Sequence, residues 1–363
     1  MRVVITHDFA ESYGGAERVT QEIAAAFPDA PVVGLAGRPE VTHRMGVADR
    51  WTSVLSPRPR VLTHYRALTP FFPALARGTT LPAADVLISS TYAFAHHFEL
   101  PGAAHIAYCH SPLRFAWSMT DDYAAHLGPA RPVVNLLAER MRRIDRRAAE
   151  KVSRFVTQSP FVATQIRTSY GREAEAIGVP LDTDLFSPAP GGNERGDHFL
   201  LCGRLIDPYK KVLATVEAFR RMPDRKLVIV GDGPAFAAAR ARATPNIELV
   251  GPRDDAGVVD AMRRASALLF PSRDDFGLVA VEAMACGTPV LAFAGGGALH
   301  TVAPGVSGEL FPGQTAEAIQ AAVEAFDPER YDPAAIRAHA LQWGREAFHA
   351  RLRREVADAL AAR

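Results

Sequence analysis

Four junctions between apolar runs and helical stretches carry side chains that could do chemistry. At one, Arg204 leaves the run His198–Cys202 and Lys210 follows six residues later, at the mouth of a helical stretch. A guanidinium fork and an ammonium converging on one point suit a diphosphate. Two solvated surface cations are the competing explanation, and composition weighs against it. Of 41 basic residues only four are lysine, namely Lys151, Lys210, Lys211 and Lys226. The richest junction is residues 270–289, FPSRDDFGLVAVEAMACGTP, which read as strand, loop, helix and the start of a strand. Asp274 lies in the loop, and Glu282 falls within the helix beside Leu278, Val279 and Val281. A carboxylate buried there needs a polar partner, and a ribose diol donating two hydrogen bonds would serve. Gly277 and Leu278 at the helix start offer N–H groups to phosphate or sugar.

Two weaker junctions lie in the first half. Gly14 and Gly15 precede a helix, where paired glycines let backbone N–H groups approach an anion; a plain tight turn explains the pair as well. His110 stands just past the run Ala104–Cys109, where α/β active sites lie, with a structural hydrogen bond as the even alternative.

The elements that must position these residues alternate along almost the whole chain. Strands are predicted at Val3–Thr6, Val32–Leu35, Asp85–Ser90, Ala104–Cys109 and Arg154–Thr157, with helices at Ala16–Phe27, Val133–Glu150 and Pro160–Tyr170. The Pro- and Gly-rich stretch Gly178–Gly196 reads as a linker. Strands then resume at His198–Cys202, Lys226–Val230, Ile247–Val250, Ala267–Phe270 and Pro289–Phe293. Helices are predicted at Val212–Met222, Pro234–Ala243, Asp254–Arg264, Leu278–Cys286 and through Pro333–Ala362. This alternation predicts α/β architecture with two doubly wound domains in tandem, as expected for 363 residues. Such a pair is expected to bind its ligand in the cleft between the domains.

Composition excludes several classes. A 48% hydrophobic and 22% charged content is that of a globular protein, and a net charge of +1 gives no bulk case for nucleic acid. The fingerprint GxGxxG is absent, against an NAD dehydrogenase. Cys109, Cys202 and Cys286 are too scattered for a disulfide framework or a CxxC metal site. The N-terminus reads as a strand rather than a signal segment, and no run approaches a membrane span. A reducing cytoplasm is expected, with the inner face of the membrane as a further location.

Taken together, the Gly-Gly loop, CHSP at 109–112, GRL with KK at 203–211, GDGP at 231–234 and the acid-x7-Glu stretch resemble the retaining family-4 glycosyltransferases of GT-B fold. The motifs come in that family's order over nearly the whole chain. CHSPLRFAW, EAMACGTPV and GGGALHT at 295–301 are most similar to the GDP-mannose-dependent mannosyltransferases of polysaccharide and glycolipid assembly. The resemblance implies two Rossmann-like domains facing an interdomain cleft: 1–180 for the acceptor, 181–345 for the nucleotide sugar, with the helix 346–363 crossing back. It implies that Arg204 and Lys210 neutralise the donor diphosphate, Glu282 holds the ribose and Asp274 contacts the donor sugar. Phe276, Gly277 and Leu278 would touch sugar and phosphate, Gly14 and Gly15 would form the loop against the β-phosphate, and His110 would lie beside the transferring sugar. Asp8 and Arg114 are the acceptor-side candidates. The family usually has Glu where this chain has Asp274, one methylene shorter, and Arg273 precedes it.

No cofactor or metal is implied beyond the nucleotide sugar, GDP-mannose by preference, since fixed cations take the place of Mg²⁺. One DxD occurs, Asp182 to Asp184, and reads as linker structure. Residues 131–154 carry Arg131, Arg140, Arg142, Arg143, Arg146, Arg147, Lys151 and Arg154, interleaved with Leu136, Leu137, Met141 and Ile144. That helix is either a contact for an anionic membrane, suiting a lipid-linked acceptor, or a solvated face laced with salt bridges. The alternatives to a GDP-mannose enzyme are a uridine-sugar-dependent transferase, a GT-B epimerase, and a nucleotide-sugar-binding protein without turnover.

Overall fold

Runs rich in Val, Ile, Leu and Ala, too continuous to alternate with polar residues, make strands buried on both faces. The structure is a computed structural model describing residues 1–55, 65–118, 120 and 131–362. It divides into two units, Met1–Pro180 with Glu346–Arg363, and Leu181–Arg345.

In the first unit, β1 (Val3–Ala10), β2 (Val32–Gly37), β3 (Trp51–Ser53), β4 (Val86–Thr91), β5 (Ala104–Cys109), β6 (Arg154–Thr157) and β7 (Ala174–Ala176) form one parallel sheet. Its order is β3-β2-β1-β4-β5-β6-β7. The second holds β8 (His198–Cys202), β9 (Lys226–Val230), β10 (Ile247–Gly251), β11 (Ala267–Phe270), β12 (Val290–Phe293) and β13 (Gly308–Phe311), in the order β10-β9-β8-β11-β12-β13. Both are doubly wound. Strand order reverses between β1 and β4 in one and between β8 and β11 in the other, and ligands bind such sheets at the carboxyl ends of those strands.

Several boundaries differ from the sequence reading. The first strand runs to Ala10 with every residue buried, so His7 and Asp8 lie inside it. The Pro- and Gly-rich segment packs onto the second unit. Arg337 donates to Thr183 O and Phe186 O, Arg263 to Ser187 O, and Asn193 to Cys286 O. Guanidinium and amide donors thus satisfy carbonyls that no strand or helix pairs. The final stretch breaks at Gly344 into helices Pro333–Ala340 and Arg345–Ala361. The second of these buries Phe348, Leu352, Val356 and Ala359, and its Phe348 meets the Tyr108 ring edge-on at 5.9 Å.

Candidate functional site

In the second unit the β8–β11 switch point gathers the sequence-predicted cations and acids. Gly203 (φ +131°) turns the chain off β8, and the buried Leu205 anchors it again, leaving Arg204 exposed. The glycines of GDGP explain how that turn is held. A Cβ on Gly231 would stand 1.9 Å from Gly203 O, and one on Gly233 2.5 Å from Leu205 O. Without side chains the two loops meet backbone to backbone, and Leu205 N donates to Asp232 O at 2.9 Å. Arg204 makes no hydrogen bond or ion pair among the described residues, and it lines one small concavity with Cys202, Lys210, Phe270 and Ser272.

Lys210 does not stand free beside it. Its Nζ donates to Asp274 Oδ2 at 2.5 Å and lies 5.8 Å from the Phe270 ring centroid. The other oxygen, Asp274 Oδ1, is buried with no hydrogen-bond partner among the described residues. The acid loop is held from outside by residues 295–297. Gly297 N donates to Asp274 O at 2.8 Å. A Cβ on Gly296 would come within 2.3 Å of that carbonyl, and one on Gly297 within 2.4 Å of Phe276 Cα. Phe276 is buried edge-on to Trp343. Gly277, left-handed at φ +88°, caps the helix Leu278–Ala285. Glu282 on that helix is 7% exposed. Burial, and next the charge of Glu282, push the Cys202 thiol up to about 12, which ties Glu282 to the end of β8.

The first unit links its candidates through a buried polar chain. His110 Nε2 meets Ser90 Oγ at 2.9 Å, and Thr20 donates to the same Ser90 oxygen at 2.8 Å. Thr20 Oγ1 lies 3.0 Å from His7 Nδ1, and His7 Nε2 is 3.7 Å from Glu17 Oε1. Glu17 Oε2 in turn accepts from Gly14 N at 2.9 Å. The Gly14 amide, expected to meet an anion, is therefore taken by a carboxylate, whereas a Cβ on Gly15 would meet nothing within 4 Å. Sequence reasoning missed His7, Thr20 and Ser90: strand register pairs His7 with Ser90, and Thr20 reaches both from the helix Gly15–Ala26.

Asp8 is fully buried, and its two oxygens accept from the amides of Tyr92, Ala93, Phe94 and Ala95 at 2.6–2.8 Å. It anchors the loop after β4 and has little capacity left for a ligand. Arg114 is exposed and opens the short helix Arg114–Trp117. Burial first, then His7 and Arg114, lower the His110 pKa to about 3, so it is neutral at physiological pH and acts as a hydrogen-bonding group.

His105, likewise buried, falls to about 3. Between pH 3 and 6.5 the unfolded chain binds more protons than the folded one at both sites, so stability rises with pH through that window. At pH 5 each histidine is expected to remove about 2 kcal/mol of the stability present at pH 8. Urea midpoints at the two pH values test this, with His105→Gln reducing the difference; equal midpoints would contradict it.

The basic helix, Arg131–Lys151, turns most of its described apolar side chains inward. Met141 is buried, Leu137 packs on the core and Ile144 is half-buried, leaving Leu136 exposed. Arg142 and Arg146 donate to Ala116 O and Ser169 O, Lys151 pairs with Glu99, and Arg154 with Glu355. Arg140, Arg143 and Arg147 remain as an outward row, while the Arg131 side chain lies outside the described residues. Of the two DxD acids, the Asp182 carboxylate pairs with Arg345 at 2.7 Å and accepts from Leu185 N, while the Asp184 side chain is exposed and its backbone carbonyl accepts from Ser187 Oγ.

A feature unread in the sequence is the fully buried Asp145 on that helix. Its Oδ1 lies 2.9 Å from His96 Nε2 and 3.1 Å from His97 Nε2, while Oδ2 accepts from Trp117 Nε1 at 2.7 Å and Tyr170 OH at 2.9 Å. The two histidines hold its carboxyl below the usual carboxylate range despite burial. The clue was an acid four residues after Met141 and three before Ala148, on the inward stripe.

Two family models match the chain. Residues 13–185 match "Glycosyltransferase Family 4" and residues 196–326 match "Glycosyl transferases group 1". A D-inositol 3-phosphate glycosyltransferase from Kribbella flavida is 32% identical over 199 residues, 47% of each chain. A phosphatidyl-myo-inositol mannosyltransferase from Mycobacterium tuberculosis is 35% identical over 132 residues, 33% of this chain and 35% of the relative. The chain thus spans about half the length, or less, of these curated relatives. Among solved structures, Anabaena HepE in complex with UDP aligns with a TM-score of 0.74 at 20% identity, over 99% of this chain and 100% of that one. Sucrose-phosphate synthase from Thermosynechococcus elongatus aligns with a TM-score of 0.68 at 18% identity, over 99% and 100%.

Proposed function

We propose that this chain, whose two family matches and GT-B fold support a family-4 glycosyltransferase, is a retaining enzyme moving a hexose, mannose from GDP-mannose by preference, to a saccharide or lipid-linked acceptor. The observation that carries the reading is the Lys210–Asp274 pair beside exposed Arg204 at the β8–β11 switch point. A diphosphate leaving group needs fixed positive charge in the transition state. Arg204, Lys210 and the helix-start amides of Gly277 and Leu278 supply it, in place of a metal. Asp274, held by Lys210, presents a carboxylate to the sugar hydroxyls, and Glu282 takes the ribose.

In the reaction the bond from the sugar C1 to the β-phosphate oxygen breaks and a bond to the acceptor oxygen forms on the same face. The acceptor proton passes to the departing phosphate. His110, kept neutral by burial, orients the sugar through its ring nitrogens and neither gives nor takes a proton in the transfer. The mannosyltransferase relative supports mannose as the sugar. Where the acceptor is lipid-linked, Arg140, Arg143 and Arg147 are the cations left to meet an anionic membrane.

Calorimetry with EDTA present tests the reading. GDP and GDP-mannose are expected to bind at least tenfold more tightly than UDP-glucose or UDP-GlcNAc. Tighter binding of a uridine sugar keeps the transferase and removes the mannosyl assignment. Absence of binding by all four removes the donor site, and a free altered sugar as product favours an epimerase.

A further inference from the structure

The first unit has a second concavity on the carboxyl edge of its sheet, over β2 and β3. Its volume is about 810 Å³, within the range of small-molecule sites. Glu40, Thr42, His43, Trp51, Thr52 and Ser53 line it. Its floor depends on two glycines. His7, Gly34 and Ser53 are register partners across β1, β2 and β3, and so share one face of the sheet. Gly34 has no side chain, and the Trp51 indole lies in the space it leaves. A Cβ would stand 2.0 Å from the indole at Gly34 and 2.7 Å at Gly37. The indole Nε1 donates to Ser53 Oγ at 2.8 Å, which satisfies the polar end of a half-buried ring.

Around this platform stand hydroxyls, the His43 imidazole and the Glu40 carboxylate, whose side chain is 70% exposed. None of the described lining residues is Lys or Arg. Arg38 turns to Glu40 at 4.0 Å, and Arg44 lies 4.2 Å over the Tyr13 ring. That stack ties the lining helix Pro39–Arg44 to the loop carrying Gly14 and Gly15. The indole also meets His7, the start of the chain to His110, at 6.3 Å edge-on.

We propose that this concavity binds a neutral pyranose ring of the acceptor. The C–H face of the sugar would lie on the Trp51 indole, with hydroxyls donating to Glu40 and exchanging hydrogen bonds with His43, Thr52 and Ser53. A pyranose offers one apolar face and a rim of hydroxyls, which an aromatic platform ringed by acceptors complements. A phosphorylated ring would bring a second negative charge against Glu40, and the Arg38 guanidinium beside that carboxylate is already turned to it. The inference rests on the glycosyltransferase reading, since that reaction is what requires a hydroxyl-rich acceptor.

Saturation-transfer NMR on the full chain tests it, with methyl α-D-mannopyranoside, methyl α-D-glucopyranoside, methyl α-D-galactopyranoside and mannose 6-phosphate as probes, and GDP-mannose calorimetry alongside. At least one neutral pyranoside is expected to bind at millimolar concentration, and mannose 6-phosphate no more tightly. Trp51→Ala should weaken that binding at least fivefold and Glu40→Gln at least threefold, with GDP-mannose affinity unchanged. Glu40 is exposed, so its variant keeps the test valid even where Trp51→Ala fails to fold. Absence of pyranoside binding, wild-type affinity in Glu40→Gln, or tenfold tighter binding of the phosphate would overturn the proposal. Failure of the wild type to bind any nucleotide sugar would sink the parent reading instead, and the pyranoside results would still judge this concavity.

Discussion

Lys210→Ala is expected to lower kcat/KM for transfer from the proposed donor, GDP-mannose, by about 10³-fold, and Arg204→Ala by about 10²–10³-fold, the range seen when one transition-state charge donor is removed. The two losses should have different anatomies. Arg204 is exposed and unpartnered among the described residues, so its removal should leave stability within about 0.5 kcal/mol of wild type. Lys210 is paired with a carboxylate whose side chain is only 17% exposed and whose second oxygen has no partner among the described residues. Deleting the ammonium therefore leaves a partly buried negative charge facing an incoming diphosphate. Nucleotide binding should fall together with turnover. Adding Asp274→Asn to Lys210→Ala should restore part of the binding, by removing the repulsive charge, without restoring turnover. Steady-state kinetics and nucleotide calorimetry on the three variants separate these effects. Near-normal turnover in both single variants would falsify the donor-site assignment.

The largest stability loss is expected at Asp145, remote in sequence from every motif of the site. Asp145→Ala removes an acceptor serving two imidazoles, an indole and a phenol, and leaves those groups without it beside the buried His96 and His97. Breaking a buried charged network from one side costs about 3–5 kcal/mol, a large part of the ~5–15 kcal/mol that holds a domain folded. Asp145→Asn keeps the shape but turns an N–H₂ toward other donors, and should lose nearly as much. Urea unfolding measures both. A loss under 1 kcal/mol in both variants would show that the cluster is dispensable.

The central strands were legible because their residue pattern alone specifies them. Ala104–Cys109, Arg154–Thr157, His198–Cys202, Lys226–Val230 and Ala267–Phe270 have the same bounds in the sequence reading and in the structure. Each is a β-branched or apolar run closed by a polar or turn residue, a local signal. The short strands Trp51–Ser53, Ala174–Ala176 and Gly308–Phe311 were not read, since three or four residues become a strand only when a neighbour pairs with them. The helix Ala316–Ala325 was readable from its Thr315 cap and its Ile319 and Val323 stripe, yet is absent from the sequence reading. The apolar residues of the basic helix suggested a membrane face by composition; packing against the core decided their direction.

The sequence by itself determined the α/β architecture, its two doubly wound halves, and the chemistry available at the strand ends: Arg204, Lys210, Asp274, Glu282 and His110. Those follow from local pattern and from motifs that lie contiguously in the chain. Only the tertiary structure decided what each residue touches. Lys210 meets Asp274 across 64 residues, Gly14 gives its amide to Glu17, and Asp8 is taken up by a loop more than 80 residues away. Glycines at 231, 233, 296 and 297 draw loops together by backbone contact that spacing alone does not disclose. The physical reason is common to all of these. A side chain's partner is set by strand register and sheet order, which depend on pairing between distant segments and not on the neighbours of either residue in the chain.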